Sequence, residues 1–292
     1  MNETVLEIEK PESINSEVKN LEKIAKDIRK KIFLTIYNAG SGHIAPAFSC
    51  VELMVALYYK TLNVSANNIK SDNRDRFVLG KGHACVGLYT ILAEKGIIDK
   101  NELKNLCKPD CILGGHPESH LIPGVEMSTG SLGHGLSYSA GLAYAGKMDN
   151  KDYRVFTLLS DGECQEGSIW EAIMFASHHK LDNLVAIVDH NKLQSLDRVE
   201  NIVSLAPFAE RWRAFGWDVK EINGHNMSEV TEALSEIPFS NGKPSVIIAN
   251  TIKGKGISFM ESVPIWHYRL PNEEELKIVL KELDIKESEL EK

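Results

Sequence analysis

Two short apolar runs each end in residues that could hold a cation. Val155–Leu159 leads into Ser160-Asp161-Gly162, and Leu184–Val188 leads into Asp189-His190-Asn191. Runs of this length bounded by polar residues predict β-strands, and the amphipathic stretch between them predicts a helix. In a right-handed βαβ unit the C-terminal ends of both strands share one edge of the sheet. Asp161 and Asn191 are therefore expected to face one another. A carboxylate and an amide carbonyl suit a hard divalent ion such as Mg²⁺, with phosphate oxygens and water in its remaining octahedral positions. Backbone N–H groups at Gly162 and at the helix start behind it would hold the anion.

Histidine is the second chemical signal. Of the 10 in the chain, four stand in distinctive contexts: Gly42-His43, Lys81-Gly82-His83, Gly114-Gly115-His116-Pro117 and Trp266-His267. An imidazole titrates close to neutral pH, so a small shift lets it give or accept a proton. Arg269, beside that last histidine, is a candidate contact for an anionic substrate group. Cys107, Cys111 and His116 lack a clear fourth ligand and make a weak zinc pattern. The 5 cysteines form no even framework, so free thiols are expected.

The elements that must position these residues follow from periodicity. Leu21, Ile24, Ile28, Ile32 and Ile36 recur at helical spacing and predict a helix over Glu17–Ala39. A second helix is expected over Val51–Tyr59, a strand over Arg76–Leu79 and a helix from about Ala84. Residues 107–135 are rich in Gly, Pro and His and read as a long loop, which in a compact domain is commonly functional. Small residues over Gly135–Lys147 suit a closely packed helix. Strands are expected at Trp217–Ile222 and Ser245–Ala249, with a helix near Ser228–Ile237 between them. The alternation predicts an α/β fold, a mostly parallel sheet with helices on both faces. Residues 1–16 read as a loose arm, 17–271 as one domain and Asn272–Lys292 as a charged, exposed helix.

Composition narrows the function classes. A net charge of −8 argues against a general nucleic-acid surface. No apolar run approaches the roughly 18 residues needed to span a bilayer, and the polar N-terminal stretch lacks a signal-peptide core. A cytoplasmic protein without a membrane partner is expected.

Taken in order, these segments resemble the N-terminal half of transketolase. Ser160-Asp161-Gly162 followed by Asn191 is similar to the thiamine-diphosphate motif, in which GDG precedes a distant asparagine. Gln165-Glu166-Gly167 and Trp170-Glu171-Ala172 are similar to its transketolase version. Leu121-Ile122-Pro123-Gly124-Val125-Glu126 and Ser128-Thr129-Gly130-Ser131-Leu132-Gly133-His134-Gly135 extend the match, which runs from Asp27 to Pro271. Departures are Ser160 for a glycine, His190 for Asp or Asn, and His43-Ile44-Ala45-Pro46 for His-Pro-Gly. Trp266-His267-Tyr268-Arg269 also stands for Trp-His-Gly, and His134 for a glutamine. None removes a proposed metal ligand; the His43, His134 and Tyr268 changes lie where a sugar would be held.

The resemblance implies roles. Asp161, Asn191 and the main-chain carbonyl of Leu193 would hold Mg²⁺, or Ca²⁺ or Mn²⁺, on thiamine diphosphate. His83, Gly162, Glu163 and His267 would contact the cofactor, with Gly130 and Leu132 on its aminopyrimidine side. His43, His83, His116 and His267 would line the reaction site, and Glu166 and Glu171 would lie near an interface that couples two sites. It also implies transfer of a two-carbon ketol unit from a ketose, by default phosphorylated, to an aldose. The pyrimidine-binding half is expected on a separate C-terminal subunit, in a heterotetramer of two copies of each. Rival readings are a subunit like 1-deoxyxylulose-5-phosphate synthase or a 2-oxo acid dehydrogenase, or an idle regulatory subunit. Gln165–Ala172 and the His267 region favour the first reading over its nearest enzyme rival.

Overall fold

In the computed structural model, which describes residues 12–290, alternating apolar residues build a sheet buried on both faces. Strands β1 (Arg76–Leu79), β2 (Val155–Ser160), β3 (Leu184–His190), β4 (Asp218–Asn223) and β5 (Ser245–Asn250) are all parallel, in the order β1-β2-β3-β5-β4. Along β3, Val185 and Ile187 point to one core, while Leu184, Ala186 and Val188 point to the other. Two-residue alternation in a sheet covered on both sides gives near-continuous apolar strands.

The first core takes helices α1 (Glu12–Ala39), α2 (Ile44–Phe48), α3 (Val51–Ala56) and α4 (Cys85–Glu94). The second takes α5 (Gly135–Met148), α6 (Gly167–His178), α7 (Val199–Ile202) and α8 (Phe208–Ala214). Helices α9 (Met227–Ser235) and α10 (Glu273–Glu282) return to the first face. The α1 stripe of Leu21, Ile28, Ile32 and Ile36 is buried there, as its spacing demands.

Several boundaries differ from expectation. Helix α1 begins at Glu12, so it takes in part of the expected arm; residues 1–11 lie outside those described. The helix expected over Val51–Tyr59 ends at Ala56 and passes into a π-type turn, Leu57–Thr61. Helices α2, α7 and α8 carry too few residues for a clear helical period and were not anticipated. The tail is not an exposed helix throughout: Asn272 and Glu275 form a capping box at the start of α10. Val279, Leu280 and Leu283 then pack into the first core. Its many charges mask that apolar face in the sequence.

No regular helix or strand forms between Asn105 and Gly135, and this long loop lies against the C-terminal edge of the sheet. Gly82, just after β1, lets it approach: a Cβ there would sit 2.7 Å from Thr129 Oγ1 and 2.8 Å from Gly130 N. Among the described residues no helix is long and apolar enough to cross a membrane.

Candidate active site at the C-terminal edge of the sheet

Parallel pairing sets the geometry. Ser160 of β2 is in register with Asp189 of β3, so the residues that follow each strand emerge side by side. Asp161 is buried, and its Oδ2 accepts the Lys192 N–H at 2.5 Å across the two strand exits. Its Oδ1 accepts the Gly162 N–H at 2.8 Å. That contact turns the Gly162 amide, expected to face an anion, toward its own neighbour. Burial, followed by the nearby Asp189, pushes the Asp161 carboxyl up to about 7.

Asn191 is held at both ends. Its Nδ2 donates to Asp189 Oδ2 at 3.0 Å, and its Oδ1 accepts the Leu193 N–H at 3.1 Å. Asp161 and Asn191 leave neighbouring strand ends, and the Leu193 main chain is bonded to Asn191. All three offer oxygen, the donor that a hard divalent cation prefers. A buried carboxylate that accepts from the Gly162 and Lys192 N–H groups fits a site that accepts positive charge.

A cleft of about 310 Å³ runs along this edge, lined by Gly162, Glu163, Asn191, Leu193 and Gln194 on the strand side. Gly130, Leu132 and His116 reach it from the long loop, and Glu166, His43, His83 and His267 reach it from other segments. The imidazoles form one cluster: the ring of His43 lies 5.6 Å from His83, 6.2 Å from His116 and 5.2 Å from His267. His83 and His267 are 5.4 Å apart. Gly130, at φ +145°, lets the backbone lie flat against His116, where a Cβ would come within 2.9 Å of the ring.

Electrostatics correct one expectation. The histidines are not all poised near neutrality. Burial, then the neighbouring His116 and Lys253, lowers His43 to about 4. Burial, then Lys253, His43 and Lys81, lowers His267 to about 3. His83 is lowered as well, by burial and then Lys81. At neutral pH these three rings are neutral hydrogen-bonding groups.

Three ionisable residues are not evident from the sequence. Lys253, just after β5, has Nζ 3.0 Å from Gln194 O, 3.3 Å from Leu193 O and 2.8 Å from His267 Nδ1. Burial, then Lys81, lowers its ammonium to about 8. Lys81 and Asp189 form a wholly buried ion pair beneath the cleft. Burial opposes the charge on each, yet the pairing holds Lys81 above and Asp189 below its ordinary value. The only signals in the chain are a lysine in the Gly80-Lys81-Gly82 strand exit and another in Lys253-Gly254-Lys255-Gly256, neither of which announces burial.

Other candidates fall elsewhere. Glu163 lines the cleft, but its oxygens accept the Gly133 and Ser160 N–H groups at 3.1 and 3.2 Å, so it ties the long loop to β2. Burial pushes its carboxyl up to about 7. Glu171 is exposed on α6. Arg269 does not point to a free anion site: its guanidinium lies 4.2 Å over Trp266 and meets Glu275 at 2.8 and 2.9 Å. Cys107 is exposed and Cys111 Sγ lies 3.4 Å from Glu102; all five cysteines are free. Among the described residues no group of three or more His, Cys, Asp or Glu is arranged to hold a metal, so Cys107, Cys111 and His116 form no zinc cluster.

Comparison with known proteins agrees with this architecture. The family described as "Transketolase, thiamine diphosphate binding domain" matches residues 21–286. One subunit of the apulose-4-phosphate transketolase of Phocaeicola vulgatus is 42% identical over 276 residues, covering 94% of this chain and 98% of that protein. The 6-deoxy-6-sulfo-D-fructose transketolase subunit SqwG of a Clostridium species is 40% identical over 265 residues, 91% of this chain and 96% of that one. The crystal structure of Campylobacter jejuni transketolase superimposes with a TM-score of 0.84 at 31% identity, over 90% of this chain but 42% of that longer one.

Proposed function

Because the chain belongs to the transketolase family through its thiamine diphosphate binding domain, we propose that it is the diphosphate-holding subunit of a two-subunit transketolase. It works with a separate pyrimidine-binding subunit to move a two-carbon ketol unit from a ketose to an aldose. One observation carries the reading: Asn191, Leu193 and four histidines line one cleft, with Asp161 buried at its edge, in a chain that spans 98% of a relative named as a transketolase subunit.

Asp161, Asn191 Oδ1 and the Leu193 carbonyl would hold Mg²⁺, or Ca²⁺ or Mn²⁺, against the diphosphate of thiamine diphosphate. Lys253 Nζ and His83 would donate to its oxygens, while the Gly162 N–H stays on Asp161 Oδ1. Main-chain groups of Gly130 and Leu132 would meet the aminopyrimidine side, and Glu163 keeps that loop in place through Gly133. The bound cofactor supplies the nucleophilic carbon that carries the ketol unit. This chain's task is then hydrogen bonding and proton handling around the sugar. Lys253 donates to His267 Nδ1, so the neutral ring keeps its proton on Nε2 and can present it to a sugar oxygen. His43 and His116 stand ready to exchange protons with further hydroxyls.

A ketose with an anionic terminus is the proposed donor. Two relatives are named for apulose-4-phosphate and 6-deoxy-6-sulfo-D-fructose, and the departures at Ile44, His134 and Tyr268 favour a specialised sugar over a common pentose phosphate. The proposed assembly is a heterotetramer of two copies of each subunit. Met174 and Phe175, one turn from Glu171 on α6, are exposed, as are Tyr138 and Met148 on α5, and offer apolar surface for it. Glu166 and Glu171 would couple two sites there.

The deciding experiment assays ketol transfer with thiamine diphosphate and Mg²⁺, using the chain alone and with the subunit encoded beside it. Activity in the mixture alone supports the reading. Turnover by the isolated chain would contradict the shared site, and silence in both would contradict the activity.

A further inference from the structure

A carboxamide ligand has a wrong end. Turned over, Asn191 would present an NH₂ group instead of oxygen to a cation, and its two ends differ little in shape. Its two contacts decide between them. Asp189 Oδ2 takes the Nδ2 protons at 3.0 Å, and the Leu193 N–H donates to Oδ1 at 3.1 Å. A carboxylate only accepts and an amide N–H only donates, so a flipped Asn191 would lose both bonds.

Asp189 is itself fixed from several directions. It lies near the end of β3, fully buried, and accepts from Ser49 Oγ at 2.6 Å, from Lys81 Nζ and from Thr251 Oγ1. Lys81, equally buried, also donates to Pro46 O at 3.0 Å. The exits of β1, β3 and β5 and the end of α2 therefore meet on one carboxylate. Only one of its four donors reaches the cleft, and that one is Asn191.

We propose that Asp189, with Lys81 as its counterion, is a positioning residue: it sets the orientation of the Asn191 carboxamide and so the oxygen offered to the divalent cation. This rests on the cation reading above. Ser49 and Thr251 fix Asp189 but do not touch the ligand, which separates a positioning role from a purely structural one.

The test measures Mn²⁺ affinity by electron paramagnetic resonance, with thiamine diphosphate present, on the chain assembled with its partner subunit. Asp189→Asn replaces a group that only accepts with one that can also donate, so it no longer enforces one orientation of Asn191 and should weaken Mn²⁺ about ten- to a hundredfold, the range for groups that orient metal ligands. Ser49→Ala and Thr251→Val should lower the melting temperature yet keep Mn²⁺ affinity within about threefold. The exchanged pair Asp189→Asn with Asn191→Asp puts a carboxylate, which has no wrong end, at the ligand position. It conserves charge and should regain affinity to within about tenfold of wild type. It also keeps the proposal open to disproof if Asp189→Asn alone does not fold. Wild-type affinity in Asp189→Asn, equal losses in Ser49→Ala and Thr251→Val, or no recovery in the exchanged pair would overturn it. Asp161→Ala is the control: if it binds Mn²⁺ like wild type, the cation reading itself is wrong and this proposal falls with it.

Discussion

Lys253 Nζ lies 2.8 Å from His267 Nδ1, and the same ammonium reaches the Leu193 carbonyl at 3.3 Å. One lysine thus links the histidine cluster to the strand exits that bear the oxygen donors. Replacing it by methionine keeps the stem and removes the charge. Because a hydrogen bond to a charged group contributes about 1.5–3 kcal/mol, thiamine diphosphate should bind roughly ten- to a hundredfold more weakly to the assembled enzyme. With the nearby positive charge gone, His267 should titrate at higher pH, which NMR of the imidazole would detect. Unchanged cofactor affinity would remove Lys253 from the diphosphate site.

His116 is packed against Gly130 and faces His43 across 6.2 Å. In the proposed reaction it serves the sugar, not the diphosphate. His116→Ala should lower kcat about a hundredfold or more, as loss of an acid–base group does, while cofactor affinity changes little. Titrating cofactor and measuring turnover on the same preparation separates the two. Parallel losses would make His116 a structural group of the long loop.

Acid should destabilise the chain through its histidines. His43 and His267 titrate near 4 and near 3 when folded, against 6.5 for the free side chain. The unfolded chain therefore binds more protons between those values, and stability is lost as pH falls from about 6.5 toward 4. His43 faces His83, His116, His267, Tyr268 and Lys253, and His267 faces His43, His83, Lys253 and Lys81, so His43→Asn should flatten the slope without abolishing it. Melting temperatures of both proteins at pH 7 and pH 5 test this. An equal drop in the two would assign the acid sensitivity elsewhere.

Arg269 is already engaged by Trp266 and Glu275. Arg269→Ala should cost about 0.5–1.5 kcal/mol of stability, and leave the KM for a phosphorylated ketose near wild type. A large rise in KM at unchanged stability would restore the anion-binding role expected from its position beside His267.

Much of this site is legible in the amino-acid sequence. The apolar runs before Asp161 and Asn191 are strands because each buries both faces, and parallel pairing of Ser160 with Asp189 then brings the two residues to one edge. The histidine motifs and the long loop named their places in the cleft for the same local reasons: glycine beside a ring allows close approach, and runs of small residues allow tight helices. Sequence periodicity determined the layers and the strand exits, since apolar spacing is a property of neighbours along the chain.

Tertiary structure decided what charge and burial do there. Lys81 and Asp189 are separated by 108 positions, and neither reads as buried until the other neutralises it. The low titration of His43 and His267 arises from their mutual packing and from Lys253, which arrives from a different strand. Arg269 looked free beside His267 until α10 folded back and supplied Glu275. The energy of an ionisable group depends on solvent exclusion and on charges brought near through space, and no window of sequence contains either.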